Sequence, residues 1–169
     1  MKRTFLEQGP DKLLELYRME EKRVRHAYAY SGLYAFEQGE YERAAEQLIL
    51  STCISLSLAI EAVRGQEYDY AFIQEELPVR RNVFHVENTA RFLRNADKRE
   101  YIREYFSSIS FYRELFVLGA ALYGMGRSEA AEALWLLVAE HREAGRWSNL
   151  ARVQLAEPNL QAIPSVFPE

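Results

Sequence analysis

Leu13, Tyr17, Val24, Tyr28, Ser31 and Ala35 recur at three-, four- and seven-residue steps, with Lys, Arg and Glu on the other side. That spacing predicts an amphipathic helix over about 12–37. Gly39 stops it, and Glu40-Tyr41-Glu42-Arg43-Ala44-Ala45-Glu46 opens a second helix that runs through an apolar stretch to about Arg64-Gly65. The short alternation Ile54-Ser55-Leu56-Ser57-Leu58 has the period of a strand, but acidic and alanine-rich turns flank it without a turn signal. Small serines facing neighbouring helices account for it within one helix. Residues 66–79 break the pattern and read as a connecting loop, and a shorter helix follows, marked by Val83, Val86, Ala90 and Leu93.

From Asp97 the pattern predicts a capped start: its carboxylate can accept from the amides at 99 or 100, and Glu100 completes an acidic capping box. Ile102, Tyr105, Phe106, Ile109, Phe116 and Ala120 then carry one face onward to about Met125. Gly124-Met125-Gly126 ends that helix. Ser128, with Glu129 in the first turn, caps the next through Leu134, Trp135, Leu137 and Val138 to about Ala144-Gly145. Residues Arg146 to Ala156 can form one more short helix. The five prolines agree with this layout: Pro10, Pro78, Pro158, Pro164 and Pro168 leave 11–77 and 79–157 free of a residue that costs a helix about 3 kcal/mol. The expectation is an all-α protein of five to seven helices in antiparallel hairpins, one domain over 1–156, with a proline-rich tail over 157–169 strapped across the bundle.

Composition narrows the class without naming a function. Hydrophobic residues make up 49 % and charged residues 27 % of 169, which sets aside disorder and collagen. Lys and Arg number 21 against 25 Asp and Glu, so an overall nucleic-acid coat is excluded while a local basic patch is not. Cys53 is the sole cysteine, which rules out an intrachain disulfide and a cysteine zinc cluster and fits a reducing, cytoplasmic setting. The N-terminus reaches Glu7 and Gly9-Pro10 before any apolar run develops, unlike an export signal. The uncharged stretch Gln47 to Ile60 is closed by Glu46 and Glu61, short of the roughly 20 apolar residues of a membrane span, and reads as a core helix.

Two segments share one offset pattern. Tyr28, Gly32, Gly39, Tyr41, Ala44 and Leu48 form the first; Leu115, Leu118-Gly119, Gly126, Ala131, Trp135 and Val138 form the second. Both resemble tetratricopeptide repeats, in which a small residue in mid-helix permits close packing and a glycine makes the tight turn. The turn glycines stand 87 positions apart, which is not a multiple of that family's 34, so the pattern implies two hairpins rather than a regular solenoid. The resemblance implies a ligand groove lined by the first helix of each hairpin. It would place His26, Ala29, Leu33, Phe36 and Glu37 on that surface, with Arg113, Phe116, Ala120 and Tyr123 beside them. An apolar and aromatic floor suits an extended peptide or an amphipathic helix. The leading expectation is therefore a non-enzymatic protein-interaction module, an adaptor or assembly subunit, with self-association as one mode and no cofactor.

Signals of catalysis are sparse. The chain has no glycine-rich phosphate loop, no Gly-x-Ser-x-Gly elbow and no His-Glu-x-x-His, and His26, His85 and His141 are scattered without a second ligand at helical spacing. One constellation supports an alternative: Arg80-Arg81-Asn82-Val83-Phe84-His85 sets Arg and His five apart at the start of an expected helix. It resembles the Arg-x-x-x-x-His signature of the HEPN superfamily, which implies RNA binding or metal-independent RNA cleavage through Arg80 and His85. The imidazole would move a proton while the guanidinium steadies phosphate charge. Arg80, Arg81, Arg91, Arg94, Lys98, Arg99 and Arg103 crowd into 24 positions, a basic strip able to track phosphates if the helices run on across Asp97.

Overall fold

The computed structural model describes residues 22–67, 79–80, 83–84 and 86–167. Seven α-helices dominate them: α1 (Lys22–Glu37), α2 (Tyr41–Glu67), α3 (Val86–Ala96), α4 (Glu100–Ser108), α5 (Phe111–Gly124), α6 (Ser128–Glu140) and α7 (Arg146–Ala156). A two-residue antiparallel pair, β1 (Val79–Arg80) with β2 (Val83–Phe84), precedes α3. Single 3-10 turns lie at Arg142–Ala144 and Leu160–Ala162. The protein is all-α, built on the hairpins α1/α2 and α5/α6, with α2 against α5 and α7 against α6.

The two hairpins are built alike, residue for residue at the same offset. At the first turn the Gly39 amide donates to the Phe36 carbonyl and the Glu40 amide to the Ala35 carbonyl, both at 2.9 Å. At the second, Gly126 donates to Tyr123 and Arg127 to Leu122, also at 2.9 Å. This double bond pattern closes a helix through one left-handed residue, and Gly39 and Gly126 supply it with φ of 75° and 79°. Between the helices, a methyl group on Gly32 would lie 2.7 Å from Leu48 Cγ and 3.2 Å from the Ala44 carbonyl. One on Gly119 would lie 2.8 Å from Trp135 Nε1 and 3.4 Å from the Ala131 carbonyl. Absence of a side chain at the crossing therefore sets the helix separation in each hairpin.

Several boundaries depart from the sequence pattern. α2 continues past Arg64 and Gly65 to Glu67. Val83, expected in the next helix, lies instead in β2, paired with β1, and α3 starts only at Val86. The single helix expected from 97 to 125 is two, α4 and α5, broken at Ile109 and at Ser110, whose φ of 53° is left-handed. Packing explains the break: the reversal stacks Phe106 on Phe111 at 4.3 Å with the rings 18° apart, and both are fully buried. Five positions apart on one helix, the two rings would point in different directions. Asp97 does not cap α4, which begins after Arg99 without a side-chain cap, and Ser128 is the first residue of α6 rather than its cap.

α2 is long and apolar enough over Tyr41–Val63 to cross a membrane by length and composition, yet most of that stretch is buried inside the fold. Its serines are satisfied in place: Ser55 and Ser57 donate to the carbonyls four residues back, at 2.9 and 2.8 Å. Cys53 is buried there too, and burial pushes its thiol up to about 12. The tail is packed rather than free. Gln154 clamps Asn159 through both its amide oxygen and its nitrogen, at 2.8 and 3.1 Å, and Val166 is fully buried against the core.

Gly119→Ala should force Trp135 or the α5/α6 spacing to give way, lowering stability by about 1–3 kcal/mol in chemical denaturation. Gly119→Ser should do no better, because the contact leaves no room for any Cβ.

Candidate functional site

Arg25 lies on the side of α1 that the sequence pattern reads as polar, yet it is buried. Its Nη1 donates to Glu114 Oε1 of α5 at 2.7 Å, with side-chain exposures of 3 % and 0 %. Ser51 of α2 stands 3.0 Å from Glu114 Oε2 and 3.0 Å from the Leu48 carbonyl. With one hydroxyl proton, Ser51 donates to only one of these at a time. Burial pushes the Glu114 carboxyl above the usual range, while Arg25, its hydrogen bond and Ser51 pull the other way. This cluster joins three helices drawn from both hairpins. Beside it, Arg23, Arg25, His26, Tyr105, Ser108 and Ile109 line a cleft of about 420 Å³.

A second polar cluster ties the α3–α4 corner to the end of α6. His141 Nε2 lies 2.6 Å from Asp97 Oδ2 and its Nδ1 lies 2.7 Å from the Leu137 carbonyl. Both ring nitrogens thus face acceptors, which favours imidazolium. Burial alone would lower the His141 pKa; the bonds to Asp97 and Leu137 outweigh it and raise the group above 6.5. The Tyr112 hydroxyl also donates to Asp97, at 3.2 Å, and its ring stacks on His141 at 5.0 Å.

The residues expected to line a groove divide between surface and core. His26 and Glu37 are exposed on α1, and Arg113 and Tyr123 are half-buried on α5. Leu33 and Phe116 are fully buried and Phe36 is 8 % exposed, so these three are core side chains and not an open floor. Phe116 is wedged between Trp135 and Trp147, at 6.5 and 5.5 Å. Tyr30 and Glu37 of α1 have an occupant: the chain's own C-terminal segment. Glu37 Oε1 accepts from the Val166 amide at 2.7 Å and the Ser165 hydroxyl at 3.2 Å, and Phe167 lies 5.8 Å from the Tyr30 ring.

The basic strip is not continuous, because α3 and α4 are separate helices. Arg99 Nη1 donates to the Asn95 carbonyl at 3.0 Å and Arg103 Nη1 to the Asp97 carbonyl. Both satisfy the C-terminal end of α3, where cations are favoured. Arg91, Arg94 and Lys98 remain exposed; Arg94 reaches Glu140 at 4.0 Å and Lys98 donates to Asn95 at 3.1 Å. Arg80 lies in β1, while Arg81 and His85 are outside the described residues. The backbone setting of Arg80 is therefore a hairpin and not the first turn of a helix.

One part of this arrangement was discoverable in advance. Glu114 is the lone acid between Phe111 and Leu122, a run whose one other charge is the adjacent Arg113, a signal that it needs a buried cation. Nothing local marks Asp97 and His141 as partners. No family model matches the sequence, and no curated protein or solved structure matches the chain.

Glu114→Gln should leave Arg25 buried beside a neutral partner and cost about 3–5 kcal/mol, whereas the joint replacement Arg25→Met with Glu114→Leu should cost far less, as read from urea midpoints. The His141 contribution to stability should be complete below about pH 6.5 and fade as pH rises through its raised folded value. His141→Gln should remove that dependence from a series of melting temperatures.

Proposed function

We propose that this protein is a non-enzymatic docking module, a tetratricopeptide-like adaptor or assembly subunit whose α1 face receives an extended peptide. The observation that carries this reading is the seating of its own tail. Residues 165–167 lie against α1 with a main-chain amide held by Glu37, an aromatic contact at Tyr30 and a buried Val166. A surface that engages backbone by a carboxylate and side chains by apolar contact has the components of extended-peptide recognition. The matched turns and glycine crossings of the two hairpins support the repeat-like reading. A competing peptide would have to displace the tail, so the tail sets the threshold for binding.

A labelled peptide of residues 158–169 offered to the full-length protein tests this. Binding by fluorescence anisotropy should be weak with the native chain, whose face is covered, and should strengthen about tenfold or more in Val166→Glu, whose tail is released. Adding Glu37→Ala to Val166→Glu should abolish it. Failure of the released variant to bind, with its helical circular dichroism intact, would sink the reading.

A further inference from the structure

Arg113 on α5 and Arg146 at the start of α7 line one cleft of about 230 Å³, together with Ser107, Ser110, Glu143 and Trp147. Among the described residues neither guanidinium has a hydrogen-bonded or ionic partner. Arg113 Nε is buried with no acceptor, and Arg146 lies over the Trp147 ring, 4.4 Å from its centroid. Buried donors are paired in the great majority of cases, and two guanidinium groups lining one cleft without such a partner point to an acceptor supplied from outside. The charge balance agrees: the cleft lining carries two cations and one acid, Glu143, and Glu114 beyond it is already paired with Arg25. Arg113 is held below its usual range by burial, against Glu114 and Tyr30, with Arg146 and Arg25 adding to the depression. An anion would relieve that repulsion.

Backbone donors reinforce the arginines. The first turns of α5 and α7 both open on this cleft, and no side chain caps either. Their amides and the positive ends of their dipoles add to the field. The lining of the cleft thus combines two forked guanidinium groups, two serine hydroxyls and two helix starts. A planar carboxylate is satisfied by one fork, whereas a tetrahedral dianion uses donors from several directions.

We propose that this cleft binds a dianionic phosphate group, held between Arg113 and Arg146 at the starts of α5 and α7. The volume admits a small phosphate monoester as well as the free ion. Binding draws Arg146 away from the Trp147 ring, which gives the site its own optical signal.

Full-length protein is titrated with inorganic phosphate and, separately, with O-phosphoserine, against chloride at equal ionic strength, reading tryptophan emission. A saturable change absent in chloride is expected, and it should vanish in Trp147→Phe. The tighter of the two ligands tells free ion from monoester. Arg146→Gln and Arg146→Lys, at an exposed position, should each weaken binding by about tenfold or more, the second because it keeps the charge but loses the fork. Arg113→Gln should do the same, with near-ultraviolet circular dichroism checking its fold. Arg127→Gln, outside the cleft, should change nothing. No saturation with either ligand, or equal weakening by Arg127→Gln, would overturn the proposal.

Discussion

The carboxylate of Glu114 is fully buried, and the guanidinium of Arg25 neutralises it at 2.7 Å. Removing both charges from solvent costs several kcal/mol per ion, and only close geometry repays it. The pair therefore imposes a constraint on everything nearby. α1 must lie where Arg25 can reach α5, and α2 must present Ser51 to the second carboxylate oxygen. Apolar contact alone tolerates sliding of one helix over another; an ion pair in a dry interior does not. The relative placement of the two hairpins, and with it the α1 face, follows from this cluster.

Within each hairpin a different physical rule operates. Gly32 and Gly119 let the helices approach until a side chain of the second, Leu48 or Trp135, occupies the space a Cβ would need. The turn glycines set the direction of return through identical backbone bonds. Close packing and turn chemistry are local, and so they repeat along the chain. The ion pair is long-range and occurs once, between the repeated units. A third fastening, His141 with Asp97 and Tyr112, joins α6 and α5 to the corner between α3 and α4.

These fastenings leave two surfaces of different character on the same scaffold. The α1 stripe is aromatic and carboxylate-bearing, and the protein's own tail covers it. The cleft at the starts of α5 and α7 is cationic, with guanidinium groups that lack hydrogen-bonded partners among the described residues. Both lie on rigid helices rather than long loops, which suits recognition by preformed geometry.

Period and punctuation in the sequence determine the helical class, the two glycine turns and the pairing of Gly32 with Ala44 and Leu48, and of Gly119 with Ala131 and Trp135. All of these depend on residues close in the chain or within one hairpin. The expectation of an open groove through Leu33, Phe36 and Phe116 failed for a related reason: hydrophobic residues at helical spacing mark a face that will be covered, and periodicity cannot say by what. Tertiary structure alone decides that neighbouring helices bury those three, that Asp97 serves His141 instead of capping α4, and that Arg99 and Arg103 turn back on α3. Hydrogen bonds and ion pairs between residues far apart in the chain depend on where the backbone brings them, and no local pattern records that distance.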